Sequence, residues 1–431
     1  MARKMKDSGI EWIGEIPEGW ETINPKALFA QRKDRASKGE RQLTSSQQYG
    51  ILYQDEYMEL TGSKVVTVEK DFDILKHVET GDFVISMRSF QGGLEYSTKS
   101  GAISSAYVML VPNLELVYPR FYRWLLKSSV YIDALQRTTN MVRDGQAMRY
   151  SNFAQVRLFT LPLDEQKSRA DFLDLECSSI DKILFKTRSS IEEYKKLKQA
   201  VITQAVTKGV RGEREMKDSG VDYIGQIPAK WVLGKLRNVG DTQNGISKSS
   251  EFFGKGFPFV SYSDVYKNYS LPFAVSGLVE STPEEQERYS VKEGDIFFTR
   301  TSETIEEVGF SCVCEKDIPN ATFAGFLIRV RPFSDKLHTP YAKYYFRSSH
   351  LRFYLVKEMN LVTRASLGQS LLKSMPVLLP PLEEQKEIAD YLDAKCAEID
   401  GLIAKKEQLV KEMESYKKSL IYEVVTGKRE V

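Results

Sequence analysis

Two Glu-x-Lys triplets, Glu165–Gln166–Lys167 and Glu384–Gln385–Lys386, are the residues whose types and spacing could cut a phosphodiester bond. A metal-dependent nuclease would use the acid to hold a divalent cation. Both triplets, however, follow a proline, a leucine and an acidic residue. That is the pattern of a helix start, where carboxylates already serve the positive end of the helix. The reading is structural, and no catalytic residue is expected in this chain. Cys312-x-Cys314 has the spacing of a strand and lacks a partner pair, so it is not read as a metal site. The three histidines, His77, His338 and His350, are scattered without metal or catalytic spacing. No G-x-x-x-x-G-K-[ST] loop occurs, which argues against an ATP motor. Neither Asn-Pro-Pro-aromatic nor Asp-Pro-Pro-aromatic occurs, which argues against an adenine methylase. No metal and no cofactor are expected here.

What remains is charge and repetition. The net charge is only +2, but its distribution is uneven. Arg120 to Arg157 holds seven Lys/Arg against two Asp/Glu, and Lys343 to Lys373 holds six against one. Each basic stretch lies just before one of two matching helices. Two ordinary solvated faces would also account for the charge, but two stretches at matching places suggest a shared role.

The helices follow from two copies of one segment. PLDEQKSRADFLDLECSSID (Pro162–Asp181) and PLEEQKEIADYLDAKCAEID (Pro381–Asp400) share twelve of twenty positions. Apolar residues then recur at helical spacing, at Leu173, Cys177, Ile180, Leu184, Ile191, Tyr194, Val201 and Ala205. The second copy places Leu392, Cys396, Ile399, Ile403, Val410, Met413, Leu420 and Val424 at the same positions. This is a heptad-like seam. VTKG (Val206–Gly209) and VTGK (Val425–Lys428) mark the stops, because glycine ends helices readily. Each helix spans about 44 residues, roughly 66 Å at ~1.5 Å per residue. A lone helix with one apolar stripe is poorly stable in water. The two helices are therefore expected to pair as an antiparallel coiled coil, closing a duplicated unit about a pseudo-two-fold axis. The paired cysteines are expected as small core residues.

A second repeat precedes each unit. MKDSGIEWIGEIPEGW (Met5–Trp20) and MKDSGVDYIGQIPAKW (Met216–Trp231) share ten of sixteen positions. Between leader and helix lies a domain with a Gly-Asp turn and a β-rich strand: GDFVISMRSF from Gly81, GDIFFTRTSE from Gly294. A further strand follows (Ala106–Pro112, Gly325–Pro332), then an aromatic helical stretch. Phe121, Tyr122, Trp124, Tyr344, Tyr345 and Phe346 are read as core. The loops of the two middle domains do not align, and RQLTSSQQYGILYQDEY has no counterpart in the second. VRGERE (Val210–Glu215) is read as the hinge between units. The fold class is mixed α/β (α+β) with small sheets. Four cysteines in 431 residues fit a reducing compartment, and no signal peptide or membrane span is expected. The expected location is the cytoplasm.

The doubled leader, the doubled LPxxEQ approach to a long helix and the VTKG exit resemble the specificity subunit of type I restriction–modification systems. The resemblance covers essentially the whole chain. It is specific in the leaders and helices and weak in the middle domains; PLDEQ departs from PLEEQ only by Asp164. It implies a non-catalytic subunit with two target-recognition domains, each reading half of a split double-stranded DNA sequence. The helices would hold the domains apart as a ruler and dock two methylation subunits; restriction subunits would join that core. S-adenosylmethionine, ATP and Mg²⁺ would belong to those partners. The implied segments are residues 1–160 for the first recognition domain, 161–209 for the first helix, 210–379 for hinge, second leader and second recognition domain, and 380–431 for the second helix. Major-groove sites on one face of B-DNA lie about 34–36 Å apart, within reach of such a helix pair. Basic side chains would contact phosphates, while Arg, Gln or Asn would read base edges. Candidates by residue type and position are Arg88, Gln91, Arg143, Gln146 and Arg149, and then Arg300, Thr301, Arg364 and Gln369. The competing reading is a coiled-coil adaptor joining partners other than DNA.

Overall fold

The structure, a computed structural model, describes residues 3–68, 72–86, 89–138, 148–302, 308–358 and 365–431. The chain divides into two compact units, one of residues 1–188 and 408–431, the other of residues 189–407. Both are mixed α/β.

The first unit is built on a four-stranded antiparallel sheet of β1 (Phe29–Arg32), β2 (Phe83–Ile85), β3 (Glu95–Tyr96) and β4 (Val108–Pro112), in the order β1-β4-β2-β3. The β2 run Phe-Val-Ile is buried throughout, as a short continuous apolar run in a covered sheet should be. A helix, α1 (Pro119–Leu125), follows the sheet, and then the long α2 (Leu163–Lys208). The second unit repeats the plan with β5 (Gly240–Asn244), β6 (Ile296–Thr299), β7 (Ser311–Val313) and β8 (Leu327–Pro332), ordered β5-β8-β6-β7. It continues into α3 (Thr339–Tyr345) and the long α4 (Leu382–Val425). The units differ around these frames. RQLTSSQQYGILYQDEY forms a hairpin (Leu43–Ser46 with Gly50–Tyr53) and a helix, Gln54–Thr61. The second unit has a three-stranded sheet of Phe253–Val260, Gly277–Val279 and Thr322–Phe323.

Each leader is a hairpin in the same register, Met5–Asp7 on Glu15–Pro17 and Met216–Asp218 on Gln226–Pro228. The leader tryptophans, Trp20 and Trp231, are fully buried. The helix that closes on each leader comes from the opposite repeat. In the first unit Lys428, just past α4, donates to Ile13 O at 3.1 Å; in the second Lys208, at the end of α2, reaches Ile224 O at 3.5 Å. Gly427 and Gly209 end the helices at φ 76° and 78°. A Cβ at Gly427 would sit 2.5 Å from Pro17, so the stop needs glycine for conformation and for space.

The long helices pair antiparallel within each unit. In the first, Asp181 binds Lys417 at 2.6 Å and Arg188 binds Glu414, so advancing along α2 retreats along α4. In the second, Tyr194 faces Lys406 and Lys198 binds Asp400 at 2.6 Å. Between them runs the seam. Leu173, Ile180 and Leu184 share a core with Leu420 and Val424, with Val410 and Met413 at its edge. Leu392 and Cys396 share the other with Ile202 and Ala205. Ile191 and Ile399 are buried and Ile403 is half-buried. A fully buried leucine contributes about 2 kcal/mol, whereas an exposed ion pair contributes under about 1 kcal/mol, so the apolar seam dominates. Cys177 and Cys396 are buried in it; burial pushes the Cys177 thiol up to about 11 and raises Cys396 as well. Phe121, Tyr122, Tyr344, Tyr345 and Phe346 are buried, and Trp124 is half-buried. In the VRGERE segment, Arg211 is tied to Glu387 at 2.8 Å and Arg214 to Glu384.

Candidate nucleic-acid interface

Three candidate residues of the second unit meet at one end of its sheet. Arg300 directly follows β6. Its N–H donates to Phe326 O at 2.9 Å, and its carbonyl accepts from Leu367 N at 2.7 Å. Thr301 and Ser302 then pair antiparallel with Ser366 and Ala365. Gln369 opens the short helix Gln369–Ser374. Its Oε1 accepts from Thr242 Oγ1 at 2.7 Å and its Nε2 donates to Asn244 Oδ1 at 3.0 Å. Asn244 ends β5, so strand, bridge and helix converge on one polar rim. The Arg300 guanidinium has no ion-pair partner among the described residues. Phe326 is 65% exposed beside it. Thr242, Asn244 and Phe326 were not singled out from the sequence. The Asn244–Gly245 dipeptide was a turn signal that could have marked Asn244. Gly245 is required there, since a Cβ would lie 2.1 Å from Phe323 O.

The first unit is less fully described. Gln91 is exposed on the short helix Ser89–Gly92. Arg149 is exposed before the helix Tyr150–Phe153, which Tyr150 ties to Phe29 O at 2.9 Å. Arg88, Arg143, Gln146 and Arg364 lie outside the described residues.

The Glu-x-Lys acids are engaged elsewhere. Glu165 accepts from Trp20 Nε1 at 3.1 Å, from Arg169 at 2.7 Å and from Arg3. Glu384 accepts from Trp231 Nε1 at 3.0 Å and from Arg214. Each carboxylate thus fastens the leader tryptophan to the first turn of a long helix. Burial alone would raise the Glu165 pKa, but the Arg3, Arg169 and Trp20 hydrogen bonds outweigh it and hold the group at about 2. The neighbouring glutamines work on the backbone. Gln166 accepts from Tyr118 N and donates to Leu116 O and Leu161 O; Gln385 accepts from His338 N and donates to Lys336 O and Pro380 O. Among the described residues, no group of three His, Cys, Asp or Glu side chains is placed to hold a metal ion, and no helix is long and apolar enough to cross a membrane.

Residues 228–412 match the family described as the type I restriction modification DNA specificity domain. The chain is 26% identical over 358 residues to the type I restriction enzyme MjaVIII specificity subunit of Methanocaldococcus jannaschii, covering 81% of this chain and 80% of that one. It is 25% identical over 338 residues to the EcoKI specificity subunit of Escherichia coli K12, covering 77% and 69%. Two solved structures share the fold at 16% identity. One is a chain from work on complex assembly and conformational transition of the type I R-M system, at TM-score 0.72 over 96% of this chain and 99% of that one. The other is the HsdS subunit of Thermoanaerobacter tengcongensis, at TM-score 0.52 over 96% and 98%. With the doubled leaders, the paired helices and the two unlike sheet ends, the chain is similar over most of its length to the specificity subunits of type I restriction–modification systems.

Proposed function

We propose that this chain is the DNA-sequence specificity subunit of a type I restriction–modification complex, each of its units reading one half of a split double-stranded target. The observation that carries the reading is one scaffold built twice, with the same leaders, helix starts and sheet order, around sheet ends whose residues differ. A pair of enzymes would repeat its reactive groups, whereas a reader of two unlike half-sites repeats its frame and changes its tips. The chain contributes no catalytic group. Two methylation subunits dock on the long helices, and restriction subunits join them; S-adenosylmethionine, ATP and Mg²⁺ act in those partners, in the cytoplasm. The proposed base-reading and phosphate-contacting groups are Arg300, Thr301, Gln369 and Arg364 for one half-site, and Arg88, Gln91, Arg143, Gln146 and Arg149 for the other. Asn244 joins the first set through Gln369.

The test is binding of the chain, assembled with its methylation subunit, to DNA libraries randomised in either half-site. Arg300→Ala and Gln369→Ala should each relax preference by about 1–3 kcal/mol in one half-site and leave the other unchanged. Equal loss at both half-sites, or none, would overturn the assignment. Removing one heptad from both long helices should shift the tolerated spacer between the half-sites; a spacer preference indifferent to helix length would refute the ruler.

A further inference from the structure

The two units carry the same side-chain platform where the short helix after the sheet meets the long helices, but among the described residues only one platform is covered. In the second unit Lys343 and Tyr344 of α3 bind Asp393 at 2.7 and 2.6 Å, Cys396 is buried beside them, and Lys198 binds Asp400 at 2.6 Å. The first unit has a counterpart for every member. Arg123 and Trp124 of α1 bind Asp174 at 2.6 and 2.7 Å, Cys177 is buried, and Lys417 binds Asp181 at 2.6 Å.

Over the second platform lies Tyr269. Its ring is 5.9 Å from that of Tyr344, with Lys198 Nζ at 5.3 Å and the Arg347 guanidinium at 4.8 Å, and its hydroxyl accepts from Gln199 at 3.4 Å. The backbone of Tyr269 is held against β7, whose Val313 N donates to its carbonyl at 2.9 Å. Next to it Ser270 donates to Glu315 at 2.7 Å, and Glu315 reaches Lys343 at 3.6 Å. A tyrosine ring and a carboxylate therefore close this site.

In the first unit the same place is an open groove of about 600 Å³, lined by α1 and α2 residues that include Arg123, Trp124, Cys177, Asp181, Phe185 and Lys186. Phe185 stands 72% exposed at its wall, where α4 has Ala404. Lys182 and Lys186, also on the wall, have no carboxylate partner among the described residues. An exposed aromatic beside uncommitted cations suits an acidic, aromatic-bearing ligand.

We infer that this groove is the docking site for a tyrosine-centred acidic segment of a partner subunit, its tyrosine seated as Tyr269 seats in the second unit. The tyrosine ring lies between Trp124 and Phe185, and the flanking carboxylates face Lys182 and Lys186. The partner's identity as a subunit of the complex rests on the function proposed above; the ligand chemistry does not.

Two measurements test it. In the first, the full chain carrying 5-fluorotryptophan is titrated with the peptide acetyl-Asp-Glu-Tyr-Glu-Ser-amide and followed by ¹⁹F NMR, the Trp124 line being assigned with Trp124→Phe. Trp124 should shift saturably while the buried leader tryptophans stay in place. Phe185→Ala with Lys186→Glu should weaken the effect about tenfold, and the Tyr→Ala peptide should give none. No Trp124 shift, or an equal shift with the Ala peptide, overturns the inference. In the second, association with the methylation subunit is measured for the same surface double variant, which should lose affinity for its partner about tenfold. Unchanged affinity overturns the docking role. If the unaltered chain binds no methylation subunit, the proposed function fails, and the peptide titration still decides the groove.

Discussion

Asp82 and Asp295 hold the same place in the two units, each after the glycine that turns into the central strand, and each is almost wholly buried. Each carboxylate also accepts a backbone N–H from three residues earlier, Glu79 N at 2.9 Å and Lys292 N at 2.8 Å. The arginines that neutralise them differ. Arg32 comes from the edge strand β1, at 2.6 and 3.0 Å; Arg331 comes from the neighbouring strand β8, at 2.7 and 2.6 Å. A buried carboxylate needs a cation, but any strand that reaches it can supply one. The helix starts behave otherwise. There Trp, Glu and Gln recur at matching positions, because they serve backbone groups and an indole whose places are fixed by the start of the helix. Residues that answer backbone geometry are repeated. Residues that answer only charge migrate, and residues at the sheet ends, which answer to neither, diverge.

The comparison can be broken in three ways. The largest effect is expected at the buried aspartates. Asp295→Ala and Asp82→Ala should each cost about 3–5 kcal/mol in urea unfolding, because Arg331 or Arg32 loses the buried carboxylate it clasps. Arg32→Met added to Asp82→Ala should recover much of that loss; a double variant as damaged as the single would mean the clasp is not the cause. Next come the glutamines. Gln166→Ala and Gln385→Ala each strip partners from one N–H and two carbonyls, at about 2–3 kcal/mol each. The two losses should agree within about 1 kcal/mol, and a larger gap would show that the helix starts are not energetically equivalent. The smallest effect belongs to acid. Glu165 titrates at about 2 instead of 4.5. Its contribution is present above the unfolded value and is lost as pH falls from 4.5 toward 2. With its side chain 23% exposed, that is about 2 kcal/mol. Glu165→Gln should flatten the stability profile across that window, and an unchanged acid slope would assign the acid sensitivity to other groups.

Much of the frame was legible before any coordinates. The leaders, the helix starts and the seam positions are repeats or short-period patterns, and local sequence carries such information directly. The rim residues were less legible. Arg300, Thr301 and Gln369 stood out by type, yet nothing local ties Gln369 to Asn244 across 125 residues. Nor did Tyr269 or Phe185 carry a signal, because a covered platform and an open one differ only in what folds over them.

The sequence by itself determined that one unit is used twice and that two long helices share an apolar stripe, since periodicity and duplication are properties of the chain alone. Only the tertiary structure decided that the start of each long helix packs beside the end of the other, closing every leader with the opposite repeat's helix. That choice depends on which buried surfaces meet across hundreds of residues, and apolar burial has no direction of its own until the backbone hydrogen bonds and buried charges fix one arrangement.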